Sequence, residues 1–383
     1  MKSTAEFDII VYGASGFTGR LVAEYLAQQY GAGKGVKWAM AGRSLDKLAE
    51  VRDEIGAPAD TPLVVADASD PTSVRAMVTR AKAILTTVGP YQLYGSDLVA
   101  ACAAAGTDYL DLCGEPVWMR QMIDAHEATA KANGARIVFS CGFDSIPFEL
   151  GVFFLQETAK AKLGHPIARV KGRVRKMRGA ASGGTVASLR ATMAALSADP
   201  SLLALMTNPF ALTPGFQGPE QPRGDKAEFD ADIGADVGPF VMAAINTRNV
   251  HRCNVLLGHA FGTDFTYDEM VVVDPKAPAA FSSLGGEGAP KPGEGPSKAE
   301  RDAGFYDVLF VGLDTGGTQV RVAVTGDKDP GYGSTSKMIG EAAVCLIQEC
   351  AGVGGGIWTP GAAMGHHLIK RLQDHAGLTF KVE

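Results

Sequence analysis

The sequence has little of what would indicate a protein built on disulfides, metal ions or a membrane. Its six cysteines include no Cys-x-x-Cys pair, and its seven histidines show no zinc-ligand spacing. No run of about 18 uncharged apolar residues occurs, and the first residues lack the apolar segment of a signal peptide. We therefore expect no bound metal, no transmembrane segment and a reducing, cytoplasmic location.

Positive charge is also scarce. The 383 residues include 36 basic and 42 acidic side chains, which gives a net charge of -6. A nucleic-acid binder would need clustered positive charge to neutralise phosphates, so that class is disfavoured. The hydrophobic content of 46% and charged content of 20% are those of a globular chain large enough for about two domains. Small molecules or other proteins are the expected partners.

Short apolar segments alternate with helical patterns over the first part of the chain. The predicted strands are 7–12, 36–41, 63–66, 83–88, 109–111 and 136–140, and the predicted helices include 46–54, 71–80, 95–105 and 116–133. Alternation at this spacing is typical of a parallel, doubly wound α/β sheet. We assign residues 1–150 to such a Rossmann domain.

The pattern changes after residue 150. Longer strands are predicted at 168–178, 269–273, 306–313 and 318–325, and the turn residues Asp314–Gly317 join the last two as a hairpin. We expect an α+β domain at 151–335, built on a mixed or antiparallel sheet. Helices in 336–383 are expected to pack back on the first domain. Two stretches, 208–225 and 282–300, are too rich in Gly and Pro for regular structure.

A glycine-rich turn follows the first predicted strand and opens a helix. It reads Gly13-Ala-Ser15-Gly16-Phe17-Thr18-Gly19, which is the context that a dinucleotide-binding fingerprint requires. Gly13 would permit the tight turn, Gly16 the approach of a pyrophosphate, and Gly19 the packing of the helix on the sheet. The helix N-terminus, with the hydroxyls of Ser15 and Thr18, would supply donors. The alternative is a glycine turn without a ligand.

The residues after the second and third strands bear on the choice of cofactor. An NAD enzyme would place an acid after the second strand to bind the ribose, whereas this chain has Gly42-Arg43-Ser44. The guanidinium of Arg43 could hold a 2′-phosphate, with a hydrogen bond from Ser44, so NADP(H) is predicted. Asp67 is expected near the adenine. The alternatives are that Arg43 is merely exposed and that Asp67 caps the following helix.

Candidate catalytic residues follow the next three strands, at the edge where ligands of open α/β sheets bind. Val88, Gly89 and Pro90 are expected to border the nicotinamide. The candidate proton donors are Tyr91, Asp111, Cys113 and Asp144. For the two aspartates a helix cap, and for the cysteine a small apolar filler, is the alternative interpretation.

Four basic residues alternate along one predicted strand. Arg169, Lys171, Arg173 and Arg175 would therefore point to one face of the sheet. A solvated sheet face is the favoured interpretation. The alternative is a surface that attracts an anionic substrate, such as an acyl-phosphopantetheine or a coenzyme A thioester.

These motifs together resemble the saccharopine dehydrogenase-like oxidoreductases, which include the mycobacterial trans-acting enoyl reductases. The resemblance extends over nearly the whole chain and rests on the following segments: Gly13–Gly19, Ala41–Ser44, Val88–Tyr91, Tyr109–Glu115, Cys141–Pro147, Ser182–Thr185 and Gly355–Met364. It implies an NAD(P)-binding Rossmann domain joined to an α+β domain. For the enoyl reductase members it implies action on lipid chains.

We therefore expect an NADP(H)-dependent oxidoreductase that acts on a small molecule of acyl or lipid type. A homodimer is expected, with peripheral contact to a membrane as a further option. Two alternatives stay open at this point. One is a non-catalytic NADP sensor or lipid-surface interaction protein, and the other is a reductase of an amino-acid conjugate, as in saccharopine metabolism. The fold alone does not separate them.

Overall fold

The computed structural model describes residues 5–31, 35–180, 183–273, 291 and 293–383. Ser182 of the later glycine motif and most of the stretch 282–300 lie outside these ranges. The elements of the first part are β1 (Phe7–Tyr12), α1 (Phe17–Tyr30), β2 (Trp38–Gly42), α2 (Leu45–Glu54), β3 (Leu63–Val65), α3 (Pro71–Val78), β4 (Ala81–Thr86), α4 (Tyr91–Tyr94), α5 (Ser96–Ala105), β5 (Asp108–Leu110), α6 (Pro116–Asn133), β6 (Arg136–Val138) and α7 (Ile146–Leu163).

The first sheet is parallel throughout. Its strand order in the described residues is β13-β6-β5-β4-β1-β2-β3, so the order reverses at β1. Ligands of open α/β sheets bind beyond the carboxyl ends of the strands at such a reversal. The predicted strands and helices differ from the observed ones by a residue or two. The doubly wound α/β prediction is confirmed.

The elements of the second part are β7 (Arg169–Arg178), α8 (Gly183–Ala198), α9 (Leu203–Thr207), β8 (Glu228–Asp230), β9 (Ala235–Pro239), α10 (Ala243–Leu256), β10 (Thr266–Val272), α11 (Lys298–Asp302), β11 (Phe305–Leu313), β12 (Gln319–Gly326), α12 (Thr335–Gln348), β13 (Gly356–Trp358), α13 (Pro360–His375) and β14 (Leu378–Val382). The second sheet has the order β14-β12-β11-β7-β10-β9-β8. Its β7 and β10 are parallel and its other pairs are antiparallel. The predicted mixed sheet and the β11–β12 hairpin are confirmed.

Two expectations about irregular and helical segments need correction. The segment 336–383, interpreted as helical, also holds β13, which joins the first sheet, and β14, which joins the second. Each is short, and β13 follows a run of glycines that resembles a loop. In 282–300, helix α11 begins at Lys298, where Ser297 and Glu300 form a capping box. The stretch 208–225 has no helix or strand, as predicted.

The basic row on β7 is not a solvated face. Arg173 is completely buried and forms ion pairs with Asp230 and Asp268. Lys171 contacts Asp230 and Asp232, Arg169 contacts Asp268, and Arg175 contacts Asp307 and Glu383. The β8–β9 hairpin brings two of these acids onto the row. Since every one of the four cations has a carboxylate partner, the row is not an anion-binding surface either.

Helices fill the space between the two sheets. Helix α12 packs against α1 and α13, while α7 packs against β11 and β12. Ile9 and Val11 of β1 belong to one continuous hydrophobic cluster with buried apolar side chains of α1, α7, β11 and α12. This shared core fixes the second sheet relative to the carboxyl edge of the first.

Candidate active site

The turn between β1 and α1 has the geometry that its glycines predict. Gly13 has a φ of +90°, a conformation that side chains disfavour. The amides of Gly13 and Ala14 donate to the carbonyl of Ala41 at 2.9 and 3.1 Å, and the amide of Gly16 donates to the carbonyl of Gly13 at 2.9 Å. The turn is therefore held tightly against the end of β2.

Gly19 and Gly16 face different surroundings. A Cβ on Gly19 would lie 2.0 Å from the carbonyl oxygen of Gly13, so the helix touches the turn directly. A Cβ on exposed Gly16 would meet only that same oxygen, at 3.3 Å. A side chain at Gly16 would thus fill the open space in front of the turn rather than disturb the packing.

The first turn of α1 is available to bind an anion. Its cap residue is Gly16, so no side chain accepts from the first amides. The amides of Phe17, Thr18 and Gly19 come before that of Arg20, which donates to the carbonyl of Gly16 at 2.9 Å. Ser15 is exposed beside them, and the ring of Phe17 packs edge-on against Tyr332 at 5.2 Å. Free amides at a helix N-terminus fit a pyrophosphate. The residues present therefore fit the dinucleotide that the sequence predicts.

Arg43, Ser44 and Asp67 lie on the β2–β3 side of this turn. Arg43 is exposed and makes no hydrogen bond or ion pair to any described residue. Ser44 caps α2 by accepting from the amide of Lys47 at 3.3 Å. Asp67 accepts from the amide and hydroxyl of Ser69, which lower its pKa, with a smaller contribution from Arg43.

One alternative for Asp67 is wrong. The acid that caps α3 is Asp70, which accepts from the amide of Thr72 at 2.9 Å. Asp67 instead closes a small turn after β3. Its position beside the adenine is still a prediction.

The loop after β4 carries Val88, Gly89 and Pro90 to the same edge. A buried carboxylate, Glu115, accepts from the amides of Tyr91 and Gln92 at 3.0 and 2.9 Å and so caps α4. The sequence did not single out Glu115. The available signal was an acid directly after Gly114, at the same carboxyl edge as the other candidates.

Tyr91 uses its hydroxyl inside the protein. The phenol accepts from the amide of Leu112 at 3.1 Å and donates to the carbonyl of Thr86 at 3.4 Å. Its ring packs beside Trp118, and burial raises its pKa well above the ordinary value. Tyr91 therefore lies where it can position the loop, with no free polar atom toward the cleft.

Asp111 and Cys113 are also turned inward. Asp111 is fully buried and accepts from Tyr109 Oη and from the amides of Cys113 and Ser140, at 2.8 to 3.0 Å. Burial raises its pKa to about 7. It joins the ends of β5 and β6, so the helix-cap alternative is wrong. The expectation that these two side chains line the crevice is not met, and buried Cys113 matches the filler alternative.

Asp144 differs from the other three candidates. It is half-buried, follows β6 and makes no hydrogen bond or ion pair to the residues that the structure describes. Burial raises its pKa to about 7. The cap position of α7 is Ser145, so Asp144 is not a helix cap. A carboxyl group without a protein partner, with a pKa near neutrality, is suited to proton transfer.

A second polar cluster lies behind Asp144. Glu269 accepts from Asn246 and Tyr267, both at 2.9 Å, while Asn249 donates to Ser145 at 2.8 Å. Burial raises the pKa of Glu269 to about 8, and Asp144 adds to that rise. These residues come from α10 and β10, and no local motif marks them in the sequence.

The described residues show neither a metal-binding cluster nor a membrane-spanning helix. Within the described ranges, no group of three or more His, Cys, Asp or Glu side chains is placed to hold a metal ion. None of the helices there is long and apolar enough to cross a membrane.

Comparisons with known proteins agree with this architecture. Residues 9–138 match the saccharopine dehydrogenase NADP-binding domain, which confirms NADP(H) as the cofactor class. A trans-acting enoyl reductase of Mycobacterium ulcerans is 38% identical over 96% of both chains. One of Mycobacterium tuberculosis is 37% identical with the same coverage. A saccharopine dehydrogenase of Saccharomyces cerevisiae, at 10% identity, has the same fold with a TM-score of 0.57 over 98% of this chain and all of its own.

Proposed function

This chain belongs to the saccharopine dehydrogenase-like oxidoreductases, in the group of the trans-acting enoyl reductases, and we propose that it reduces a carbon–carbon double bond next to an acyl carbonyl with NADPH. One observation carries the proposal. The free amides of the Gly13–Gly19 turn and the unpartnered carboxyl of Asp144 follow strands of the same sheet, at its carboxyl edge. In the proposal, a site for a hydride donor and a group able to give a proton would therefore share one crevice.

NADPH, when bound, supplies a hydride to the substrate. In the proposal, the amides of Phe17, Thr18 and Gly19 bind the pyrophosphate, with Ser15 beside them. Arg43 and Ser44 bind the 2′-phosphate. The free guanidinium of Arg43 supports this role, since no described acid within ion-pair distance competes for it.

The proposed proton donor is Asp144. Its carboxyl holds a proton below pH 7 and would release it to the α-carbon while the β-carbon receives the hydride. Together these transfers complete a two-electron reduction. Tyr91, Asp111 and Cys113 were predicted for the same role, but their buried, hydrogen-bonded side chains favour positioning of the surrounding loops.

An acyl substrate is supported by apolar surface beside the loop after β4. Leu93 of α4 and Leu189 and Met193 of α8 are exposed. Next to them a cavity between α6, α8 and α9 is lined mainly by apolar side chains, including Trp118, Leu196, Leu202 and Met206. A hydrocarbon chain would gain stability by covering such surface.

Steady-state consumption of NADPH with 2-enoyl, 3-keto and imine compounds tests the proposal. We expect turnover with the enoyl thioester, and much less with the other two classes. Turnover with an imine alone would instead identify a reductase of amino-acid conjugates. Binding of NADPH without consumption by any of the three would identify a sensor.

A further inference from the structure

Helix α8 carries three hydroxyl side chains on one face of a mostly apolar sequence. Thr185, Ser188 and Thr192 are three and then four residues apart, a spacing that places them on one side of a helix. The helix comes from the second part of the chain but crosses to the nucleotide-binding edge of the first sheet. We call these three residues the hydroxyl row.

Each member of the hydroxyl row contacts a residue that lies next to a part of the predicted cofactor site. Thr185 Oγ1 lies 2.9 Å from the hydroxyl of Tyr332, whose ring packs against Phe17 at the start of α1. Thr192 Oγ1 accepts from Gln92 Nε2 at 3.3 Å, directly after the nicotinamide loop. The row therefore spans the distance between the pyrophosphate turn and the β4–α4 loop.

The central contact is made to the buried carboxylate of Glu115. Ser188 Oγ donates to Glu115 Oε1 at 2.9 Å. The same Oε1 accepts from the amide of Tyr91, and Oε2 accepts from the amide of Gln92. One carboxylate thus joins α8 to the loop that begins at Val88. A Cβ on Gly89 would also lie 3.9 Å from Ser188 Oγ, so the two segments are in close proximity.

The adenosine end of the predicted site has no such connection. Ser44 and Asp67 make their contacts with Lys47 and Ser69, on segments that leave β2 and β3. In the described part of the chain, neither these two residues nor Arg43 forms a hydrogen bond or ion pair with α8. A change at Ser188 should therefore affect the nicotinamide end of the dinucleotide and leave the adenosine end unchanged.

We propose that Glu115 and Ser188 are positioning residues that couple the seating of α8 to the loop holding the nicotinamide half of the cofactor. The inference rests on the proposed function, because it takes the Val88–Pro90 loop as the nicotinamide site. It adds an element from the second part of the chain to that site. Fixing α8 over the loop would also exclude water from the reacting atoms.

Calorimetry with two ligands tests the coupling. NADPH probes both ends of the site, whereas adenosine 2′,5′-bisphosphate probes the adenosine end and, through its 5′-phosphate, the glycine turn, but not the nicotinamide loop. The variants are Ser188→Ala, which removes the donor, and Glu115→Gln, which places an N–H against amides that need an acceptor. Ser197→Ala is the matched control, since Ser197 Oγ on the same helix donates only to the carbonyl of Met193.

We expect Ser188→Ala and Glu115→Gln to bind NADPH about tenfold more weakly, the loss typical of one hydrogen bond to a charged group. Their affinity for the bisphosphate should stay that of the wild type. Ser188→Thr, which keeps the hydroxyl, should restore NADPH binding. If Glu115→Gln does not fold, the comparison of Ser188→Ala with Ser188→Thr still tests the coupling.

Equal weakening of both ligands in Ser188→Ala would overturn the coupling, because the effect would then be a general loss of structure. Unchanged NADPH affinity in that variant would overturn it as well. Failure of the proposed function gives a different result: the wild-type protein itself would bind NADPH no better than the bisphosphate, or would bind neither.

Discussion

Gly16 and Gly19, in the turn between β1 and α1, have different surroundings, and we therefore expect their substitution to have different effects. Gly16→Val should leave the protein folded and abolish NADPH binding, because its side chain would occupy the open space before the free amides. Gly19→Val should destabilise the protein, since a Cβ there would lie 2.0 Å from a carbonyl oxygen. Melting temperature and calorimetry on both variants separate the two effects. Unchanged NADPH affinity in folded Gly16→Val would contradict the assignment of the turn.

The position of Arg43 leads us to expect tighter binding of NADPH than of NADH. Its guanidinium is exposed and unpaired among the described residues, and a charge-assisted hydrogen bond to a phosphate contributes about 1.5 to 3 kcal/mol. Arg43→Ala should therefore bind NADPH roughly ten- to a hundredfold more weakly. Affinity for NADH should hardly change. Equal affinities of the wild-type protein for NADPH and NADH would refute this role.

If Asp144 is the proton donor, it should determine both the turnover rate and the dependence of that rate on pH. Asp144→Asn should lower turnover by about 10²- to 10⁴-fold without changing NADPH affinity. Because burial raises the pKa of Asp144 to about 7, the acid is increasingly deprotonated above that pH, so wild-type turnover should fall there. Asp111→Asn is the matched comparison: it should lower the melting temperature, since Asp111 accepts three hydrogen bonds, and keep turnover per folded molecule. Normal turnover in Asp144→Asn would remove this residue from the mechanism.

At the scale of elements, β7 shows which features of a strand its residue pattern can predict and which it cannot. Alternation correctly predicts that its four cations share a face, because that follows from strand geometry alone. It does not show what covers the face. The covering acids Asp230 and Asp268 lie on other strands, far along the chain, and only the folded sheet brings them onto Arg173.

The buried ion pairs of Arg173 predict a large loss of stability when this residue is substituted. Arg173→Met should cost up to about 3 to 5 kcal/mol in the free energy of unfolding, because Asp230 and Asp268 lose the fully buried cation that they share. Each carboxylate then keeps a single partner, Lys171 or Arg169. Lys176→Met, at an exposed position on the same strand, is the control and should be nearly neutral. Urea unfolding measures both. Similar stabilities for the two variants would show that the buried ion pairs contribute little.

The first sheet was predictable because each strand and the helix after it are encoded in adjacent residues. The strands β13 and β14 were not, since these short segments lie outside the strand–helix alternation by which the short strands β3, β5 and β6 were found. The placement of α8 was not predictable either. The hydroxyl row of α8 can be recognised as a set of contacts only in the folded protein, where Glu115 and Gln92 lie opposite it.

At the scale of the whole molecule, the shared core holds several acids in their protonated form. Burial raises the pKa of Asp111, Asp144 and Glu149 to about 7 and that of Glu269 to about 8. The folded state therefore binds these protons more tightly than the unfolded state. Stability from this source is complete below the unfolded values, near pH 4, and is lost as the pH rises through 7 to 8.

We therefore expect the melting temperature to fall between pH 5 and pH 8. Buried His251, whose pKa is lowered to about 3, and His126, whose pKa is also lowered by burial, act in the opposite direction, but they are two groups against four. Glu269→Gln should flatten the decline, because its neutral amide does not titrate. A melting temperature that rises steadily over this interval would contradict the assignment of these acids as protonated.

Some residues of the candidate site could likewise be identified from their neighbours in sequence, whereas others depend on contacts between distant segments. The glycine turn, Arg43 and the loop after β4 were found because each lies within a few residues of its own strand. The four proton-donor candidates looked alike in sequence, since each follows a strand on one edge. Only the folded structure shows that Asp111 is buried between the ends of β5 and β6, while Asp144 has no hydrogen-bond or ion-pair partner among the described residues.

Transfer of deuterium from NADPH labelled at nicotinamide C4 to a 2-enoyl thioester is the most direct test of the proposed reaction. The account predicts a saturated product that carries one deuterium on the β-carbon, formed by the wild-type protein and at a greatly reduced rate by Asp144→Asn. Binding of NADPH with no label in any product would contradict it.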